Sequence, residues 1–199
     1  MVASAIELID KVYPNFLQNF NTRDWLWERA ILAPRNDAVN RINLDILDRI
    51  PADEKVYSSI DSTLDQDEAV HYPVEFLNSL NPPGMPAHTL RLKQGSPVIL
   101  LHNLDPPKLC NGTQLVVMNL HRNVIKCVII TGTSKGENVF VPRIPLISSK
   151  NHLPFEFKRL QFPLRSCYAM TINKSQGQTM SYLGLELSDH CFSHGQFYV

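Results

Sequence analysis

The sequence predicts an α/β domain that is interrupted by a small antiparallel β-barrel. Two observations support this prediction. Strand-like runs and helical spacing of apolar residues occur in the first 86 residues and again after residue 148. The segment between them instead contains short strand patterns separated by turn signals. The chain of 199 residues is long enough for one large domain or two small ones.

The first elements have helical and then strand patterns. Apolar residues between positions 6 and 20 recur at helical spacing, which predicts a helical lead-in over 1–27. The apolar run 29–34 ends at a proline and predicts a buried strand. Asn36 and Asp37 are predicted to cap the next helix, which Pro51 ends. A strand, a polar turn and a helix together make one α/β unit.

The middle of the chain changes character. The acidic segment 61–68 is predicted to be a loop, and 72–80 a short helix. Three prolines and a glycine exclude regular structure from 81–86 and mark a boundary. Short strands are predicted at 89–92, 97–101, 113–120, 124–130 and 138–141. Turn signals rich in glycine and asparagine separate these strands, which favours a small antiparallel barrel.

The α/β character returns after a polar break at 148–152. The segment 155–162 is predicted to be a strand, 167–176 a helix and 182–187 a strand. The simplest architecture is one α/β domain with the barrel inserted into it.

The charge balance excludes nucleic-acid binding by bulk electrostatics. Lys plus Arg is 19 and Asp plus Glu is 19, so any such binding needs a local patch or backbone donors. The acidic N-terminal segment and the lack of an apolar run of ~18 residues predict a soluble, intracellular protein. His190, Cys191 and His194 lack the paired spacing of zinc ligands, so no metal site is predicted.

The segment 171–179 combines the side chains that suit an anionic backbone. Lys174 supplies charge, the Ser, Thr and Asn residues supply hydrogen bonds, and Gly177 permits close approach. A polar turn is an equally good interpretation. The segment is not a phosphate-binding P-loop, because Tyr168 and Asn173 occupy the positions where that motif needs glycine. No P-loop occurs elsewhere in the sequence.

Two further segments are candidates. Arg35 and Asn36 lie between the strand and the helix N-terminus, where free N–H groups favour an anion. The alternative is a capped helix with a solvated arginine. Loops 101–108 and 110–113 join predicted barrel strands, and such loops often contact nucleic acid. For Asn111 and Gly112 a structural turn is the favoured interpretation.

The motifs, in this order, resemble the C-terminal half of a Pif-family DNA helicase of the helitron-associated kind. The resemblance covers most of the chain and is carried by segments 28–37, 72–81, 90–93, 95–98, 103–107, 110–113, 142–145, 162–165, 169–179 and 192–199.

The resemblance implies a second RecA-like domain with an inserted SH3-like barrel. It divides the chain into a lead-in at 1–27, RecA-like parts at 28–86 and 148–199, and the barrel at 87–147. The implied activity is that of a motor that uses ATP and Mg²⁺ to move 5′ to 3′ on single-stranded DNA and to unwind duplexes. Its implied roles are in repair, recombination or helitron replication, in the nucleus or in mitochondria. The implied partners are single-stranded DNA and an N-terminal RecA-like domain, with no membrane.

The resemblance also implies roles for individual residues. Arg35 and Asn36 match the family's fourth helicase motif, and residues 171–179 match its fifth. The residues that it assigns to the DNA backbone are Asn36, Thr171, Asn173, Lys174 and Ser175. The residues that it assigns to nucleotide sensing are Arg35, Gly177 and Gln178.

The sequence departs from the family in two respects. The P-loop is absent, and residue 199 comes where the sixth motif and its arginine are expected to follow. No catalytic residue is therefore assigned, and the chain alone is expected to bind no ATP or Mg²⁺ and to be inactive. The alternative function is that of a stand-alone, non-catalytic module that binds single-stranded DNA or another protein.

Overall fold

A computed structural model describes residues 4–65, 71–148 and 155–188. The contacts divide these residues into two compact units. The first unit contains the described residues up to 53, together with 95–98 and 166–188. The second contains the described residues of 54–94 and 99–165.

The described residues form short helices and strands. The α-helices are α1 (Ala5–Val12), α2 (Phe16–Asn19), α3 (Arg23–Trp27), α4 (Asn36–Asp48) and α5 (Val74–Ser79), and a 3₁₀ turn spans Ile172–Ser175. The strands are β1 (Arg29–Ala33), β2 (Glu54–Ser58), β3 (Ile60–Thr63), β4 (Thr89–Lys93), β5 (Pro97–Leu100), β6 (Gln114–Leu120), β7 (Val124–Ile129), β8 (Asn138–Pro142), β9 (Ile144–Ile147), β10 (Phe157–Gln161), β11 (Leu164–Ser166), β12 (Ala169–Thr171) and β13 (Tyr182–Leu185). No helix in the described ranges is long and apolar enough to cross a membrane.

The first unit is built on a parallel sheet with the strand order β12-β1-β13. The central strand β1 is almost entirely buried, as expected for a strand in a parallel sheet. Helices α1 and α4 pack on this sheet through a core that includes Ile9, Ile31, Ile42 and Ile46. The predicted strand and the helix that follows it are confirmed as β1 and α4.

The second unit contains antiparallel strands in separate sheets. The order is β3-β10-β9 in one, β2-β4 in another and β11-β5-β6-β7-β8 in the third, and the boundary of the units falls within β5 and β11. The strands predicted between 89 and 141 are all present. Within the described part of the chain none of these sheets closes into a barrel. The first predicted barrel strand, β4, pairs with β2, a strand that the sequence did not predict.

A buried ion pair fixes part of the second unit. The Arg159 guanidinium is fully buried and donates to both carboxylate oxygens of Asp61, with distances of 2.9 and 2.7 Å. It also donates to the carbonyl oxygens of Pro86 and Leu77. The ion pair therefore ties β10 to β3, to α5 and to the irregular segment that contains Pro86.

The prediction of a loop at 61–68 is wrong at its start, because β3 spans Ile60–Thr63. Ile60 is 65% exposed whereas Asp61 is buried, which inverts the usual pattern. The inversion follows from the buried Arg159, which needs a carboxylate partner.

The prediction of a helix over 167–176 is also wrong. Residues Ala169–Thr171 form β12, and only the 3₁₀ turn follows. Parallel pairing with β1 decides the backbone here. The β-branched Thr171 is compatible with this extended conformation.

The predicted caps of α4 are corrected as well. Arg35 occupies the N-cap position, and its side chain makes no capping hydrogen bond. Asn36 is the first helical residue, and Asp37 lies in the first turn, where its charge favours the helix dipole.

Candidate nucleic-acid interface

The two candidate segments of the first unit leave the sheet at the same edge. Strands β1 and β12 are parallel neighbours, and Ala33 lies opposite Thr171 at their carboxyl ends. The chain continues from these ends into Arg35 and Asn36 on one side and into the 3₁₀ turn on the other. In open α/β sheets, ligands bind in the crevice outside the carboxyl ends of the strands.

Arg35 and Asn36 are exposed at the start of α4. The first N–H groups of a helix have no partners within the helix, and the helix dipole favours an anion at that end. The 13 residues of α4 make it the longest helix in the described ranges. This end of α4 can therefore accept a phosphate beside the arginine.

The 3₁₀ turn presents Asn173 and Lys174 to solvent. Thr171 is half-buried and holds the extended position before the turn. The Ser175 hydroxyl donates to the carbonyl oxygen of Ile172 at 2.6 Å, so it must rotate before it can donate to a phosphate. Of the predicted DNA-contacting residues in this segment, Asn173 and Lys174 have the most accessible side chains.

The backbone conformation at position 177 favours glycine. Gln176 has φ −56° and ψ 126°, Gly177 has φ 77°, and the Gln178 amide donates to the Ser175 carbonyl at 2.9 Å. These angles define a type II turn, whose third residue needs positive φ. The turn leaves open space around Gly177.

A buried tyrosine anchors the backbone that leads into this segment. The Tyr13 hydroxyl donates to the carbonyl oxygen of Tyr168 at 2.6 Å. Burial raises the pKa of Tyr13 well above its ordinary value, so the hydroxyl keeps its proton and remains a donor. No local sequence signal marks this role, because the partners are 155 residues apart.

Glu186 is a second residue that sequence patterns did not single out. It follows β13 directly, and its amide donates to the carbonyl oxygen of Leu32, so it lies at the carboxyl edge of the sheet. Its side chain is buried, and Ser188 donates to Oε1. Oε2 has no hydrogen-bond partner among the described residues. The carboxyl edge of the sheet therefore also carries a buried carboxylate oxygen.

The loops considered in the second unit have structural explanations. Gly112 has φ 94°, and the Asn111 amide donates to the Asn103 side chain at 2.7 Å. These contacts hold the turn before β6 and support the structural interpretation of Asn111 and Gly112.

The described residues do not make a complete nucleotide site. The sequence has no P-loop, and the part of the chain that the structure describes has no cluster of acidic, His and Cys residues able to hold a metal ion. His190, Cys191 and His194 lie outside the described residues.

The chain is similar to known helicases. Residues 75–120 match the family model described as DNA helicase Pif1, 2B domain. The ATP-dependent DNA helicase PIF6 of Trypanosoma brucei brucei is 35% identical over 114 residues, which are 55% of this chain and 14% of that protein. The ATP-dependent DNA helicase PIF1 of Xenopus laevis is 28% identical over 195 residues, which are 96% of this chain and 28% of that protein. The chain thus spans a small part of these relatives.

A solved structure has the same fold. A Bacteroides Pif1 helicase in complex with ADP-AlF3 and ssDNA superposes with a TM-score of 0.61 at 21% identity, covering 100% of this chain and 46% of that one. The fold of the described units is therefore one that Pif1 helicases contain. Together, these matches show that the chain is similar to part of Pif1-type DNA helicases and that residues 75–120 resemble their 2B domain.

Proposed function

We propose that this chain is the C-terminal motor half of an ATP-dependent DNA helicase and that it grips single-stranded DNA at the carboxyl edge of its parallel sheet. The observation that carries the proposal is the pairing of Ala33 with Thr171, which brings both candidate segments to one edge. The Pif1-type relatives are ATP-dependent DNA helicases, and the Bacteroides structure contains ssDNA.

The proposal includes a second RecA-like domain with an SH3-like insertion. The parallel order β12-β1-β13 with α4 supports the first part, and the antiparallel strands of the second unit support the insertion. The proposed RecA-like parts are 28–86 and 148–199, after a lead-in at 1–27, and the proposed insertion is 87–147. Movement from 5′ to 3′ and a role in repair, recombination or helitron replication belong to the same proposal, as does a nuclear or mitochondrial location.

Few side chains are needed to bind the backbone of single-stranded DNA. Lys174 supplies a positive charge at an exposed position, and Asn173 and Asn36 supply amide donors nearby in the fold. These groups contact phosphate and sugar without reading bases, as a motor that must move over any sequence requires. ATP and Mg²⁺ would be held mainly by an N-terminal RecA-like domain, with Arg35 and the turn at Gly177 as accessory contacts.

Replacing Lys174 with alanine is expected to weaken binding of single-stranded DNA and to make it less sensitive to salt. Loss of one phosphate contact lowers the slope of log K against log salt by about 0.7 for single strands. Fluorescence anisotropy with a labelled oligothymidine over a salt series measures both quantities.

Lys11→Ala is the matched control, since it removes an exposed lysine from α1, outside the candidate segment. The control is expected to keep the slope of the unmodified chain. An unchanged slope in Lys174→Ala would reject the proposed grip.

The absence of a P-loop favours one alternative, a non-catalytic module that binds single-stranded DNA or another protein. The neighbouring genomic sequence distinguishes the motor half of a helicase from this non-catalytic module. A P-loop encoded upstream in the same reading frame supports the motor, whereas a transcript that encodes these 199 residues alone supports the module.

A further inference from the structure

Asn43 makes a pair of buried hydrogen bonds that no sequence pattern predicted. Its Nδ2 donates to the carbonyl oxygen of Ala169 at 3.0 Å, and its Oδ1 accepts from the Ala169 amide at 2.9 Å. Asn43 is only 5% exposed. Both backbone groups of one strand residue are thus satisfied by a single side chain on α4.

These bonds lie on the outer edge of the sheet. Strand β12 is at the end of the order β12-β1-β13, and Ile31 uses its amide to bond to the Tyr168 carbonyl on the inner side. In a strand, the backbone groups of successive residues point to opposite sides, so those of Ala169 point away from β1. Asn43 therefore makes the two bonds that a neighbouring strand would make.

Helix α4 thus begins at one candidate segment and is bonded to the strand that leads into the other. Its first residue is Asn36, and Asn43 lies seven residues later, about 10 Å along the helix axis. Ala169 precedes Thr171 by two residues and Lys174 by five. The bond pair therefore fixes the start of the 3₁₀ turn relative to the helix that carries Asn36.

We propose that Asn43 is a positioning residue for nucleic-acid binding and that it acts by holding β12 so that Lys174 reaches the phosphate. This inference rests on the proposed function of the same edge. The amide is suited to the role because it offers one donor and one acceptor without charge. An aliphatic side chain of equal size leaves two buried backbone groups without partners, so the strand is expected to shift.

The test is a double-mutant cycle between Asn43→Leu and Lys174→Ala, measured as binding of oligothymidine over a salt series. Asn43→Leu is expected to lower the salt slope by about 0.7, as Lys174→Ala does. The double variant is expected to bind no more weakly than the weaker single variant, because both changes remove the same contact. Additive losses, or a wild-type slope in Asn43→Leu, would overturn the inference.

Ile46→Ala is the matched control, because Ile46 is a fully buried residue of the same helix and makes no side-chain hydrogen bond. Ile46→Ala is expected to destabilise the first unit but to keep the wild-type dependence of DNA binding on salt. If Asn43→Leu does not fold, Asn43→Ala provides the test, since it removes both hydrogen bonds and adds no charge that would itself alter the salt slope. A reduced slope supports the inference, and a wild-type slope contradicts it.

The two proposals fail in different ways. A wild-type slope in Lys174→Ala rejects the DNA grip and, with it, the role of Asn43. A reduced slope in Lys174→Ala, with Asn43→Leu behaving like Ile46→Ala, rejects only the role of Asn43.

Discussion

Replacing Arg159 with methionine is expected to lower the free energy of unfolding of the second unit by roughly 3–5 kcal/mol. The substitution leaves the Asp61 carboxylate buried without its cationic partner. It also removes the donors to the carbonyl oxygens of Leu77 and Pro86. A loss of this size is a large part of the stability of an ordinary domain.

Urea unfolding followed by far-UV circular dichroism measures the loss. Tryptophan fluorescence is unsuited, because both tryptophans of the chain, Trp25 and Trp27, lie in the first unit. Arg122→Met, at an exposed turn between β6 and β7, is the control and is expected to change stability by less than about 0.5 kcal/mol.

A second substitution separates the ion pair from packing. Combining Arg159→Met with Asp61→Asn removes the uncompensated charge and is expected to recover part of the lost stability. Equal stability of Arg159→Met and the unmodified chain would show that the buried pair contributes nothing.

The isolated chain is expected to hydrolyse no ATP, with or without single-stranded DNA. A P-loop supplies the backbone donors and the lysine that hold the phosphates, and this sequence contains none. The described residues also lack a cluster that could hold Mg²⁺. Positioning and charge stabilisation of the phosphates supply nearly all the catalysis in such motors, so a partial site is expected to give no measurable rate.

Release of inorganic phosphate from ATP, measured with the purified chain, tests this expectation. A Pif1-type helicase that contains both halves is the positive control under the same conditions. Hydrolysis that rises with added DNA and is abolished by Lys174→Ala would contradict the prediction, because a contaminating ATPase would not respond to that substitution.

Local sequence patterns predicted the elements whose own residues decide their structure. Strand β1 is a short apolar run ended by Pro34, and α4 has apolar residues at helical spacing. The strands between 89 and 141 are separated by turn residues, and each was found. The order of the motifs along the chain also indicated a resemblance to Pif-type helicases, and the similarity to Pif1 helicases confirms that resemblance.

Patterns failed where a distant residue decides the outcome. The segment at 167–176 was predicted to be a helix, but its residues Ala169–Thr171 form β12, because parallel pairing with β1 satisfies their backbone. Asp61 belongs to an acidic run but lies in β3, because Arg159, 98 residues away, needs a buried carboxylate. The predicted closed barrel is present as open sheets in the described residues.

The sequence alone determined the composition of the candidate site, namely a lysine, hydrogen-bonding side chains and a glycine in one segment, with Arg35 and Asn36 in another. Only the tertiary structure decided that these segments start at one edge of the sheet and that Asn43 and Tyr13 bond to the backbone at β12 and just before it. The physical reason is that hydrogen-bond donors and acceptors are properties of single residues. Their partners are chosen by the fold, which brings together groups more than 100 residues apart.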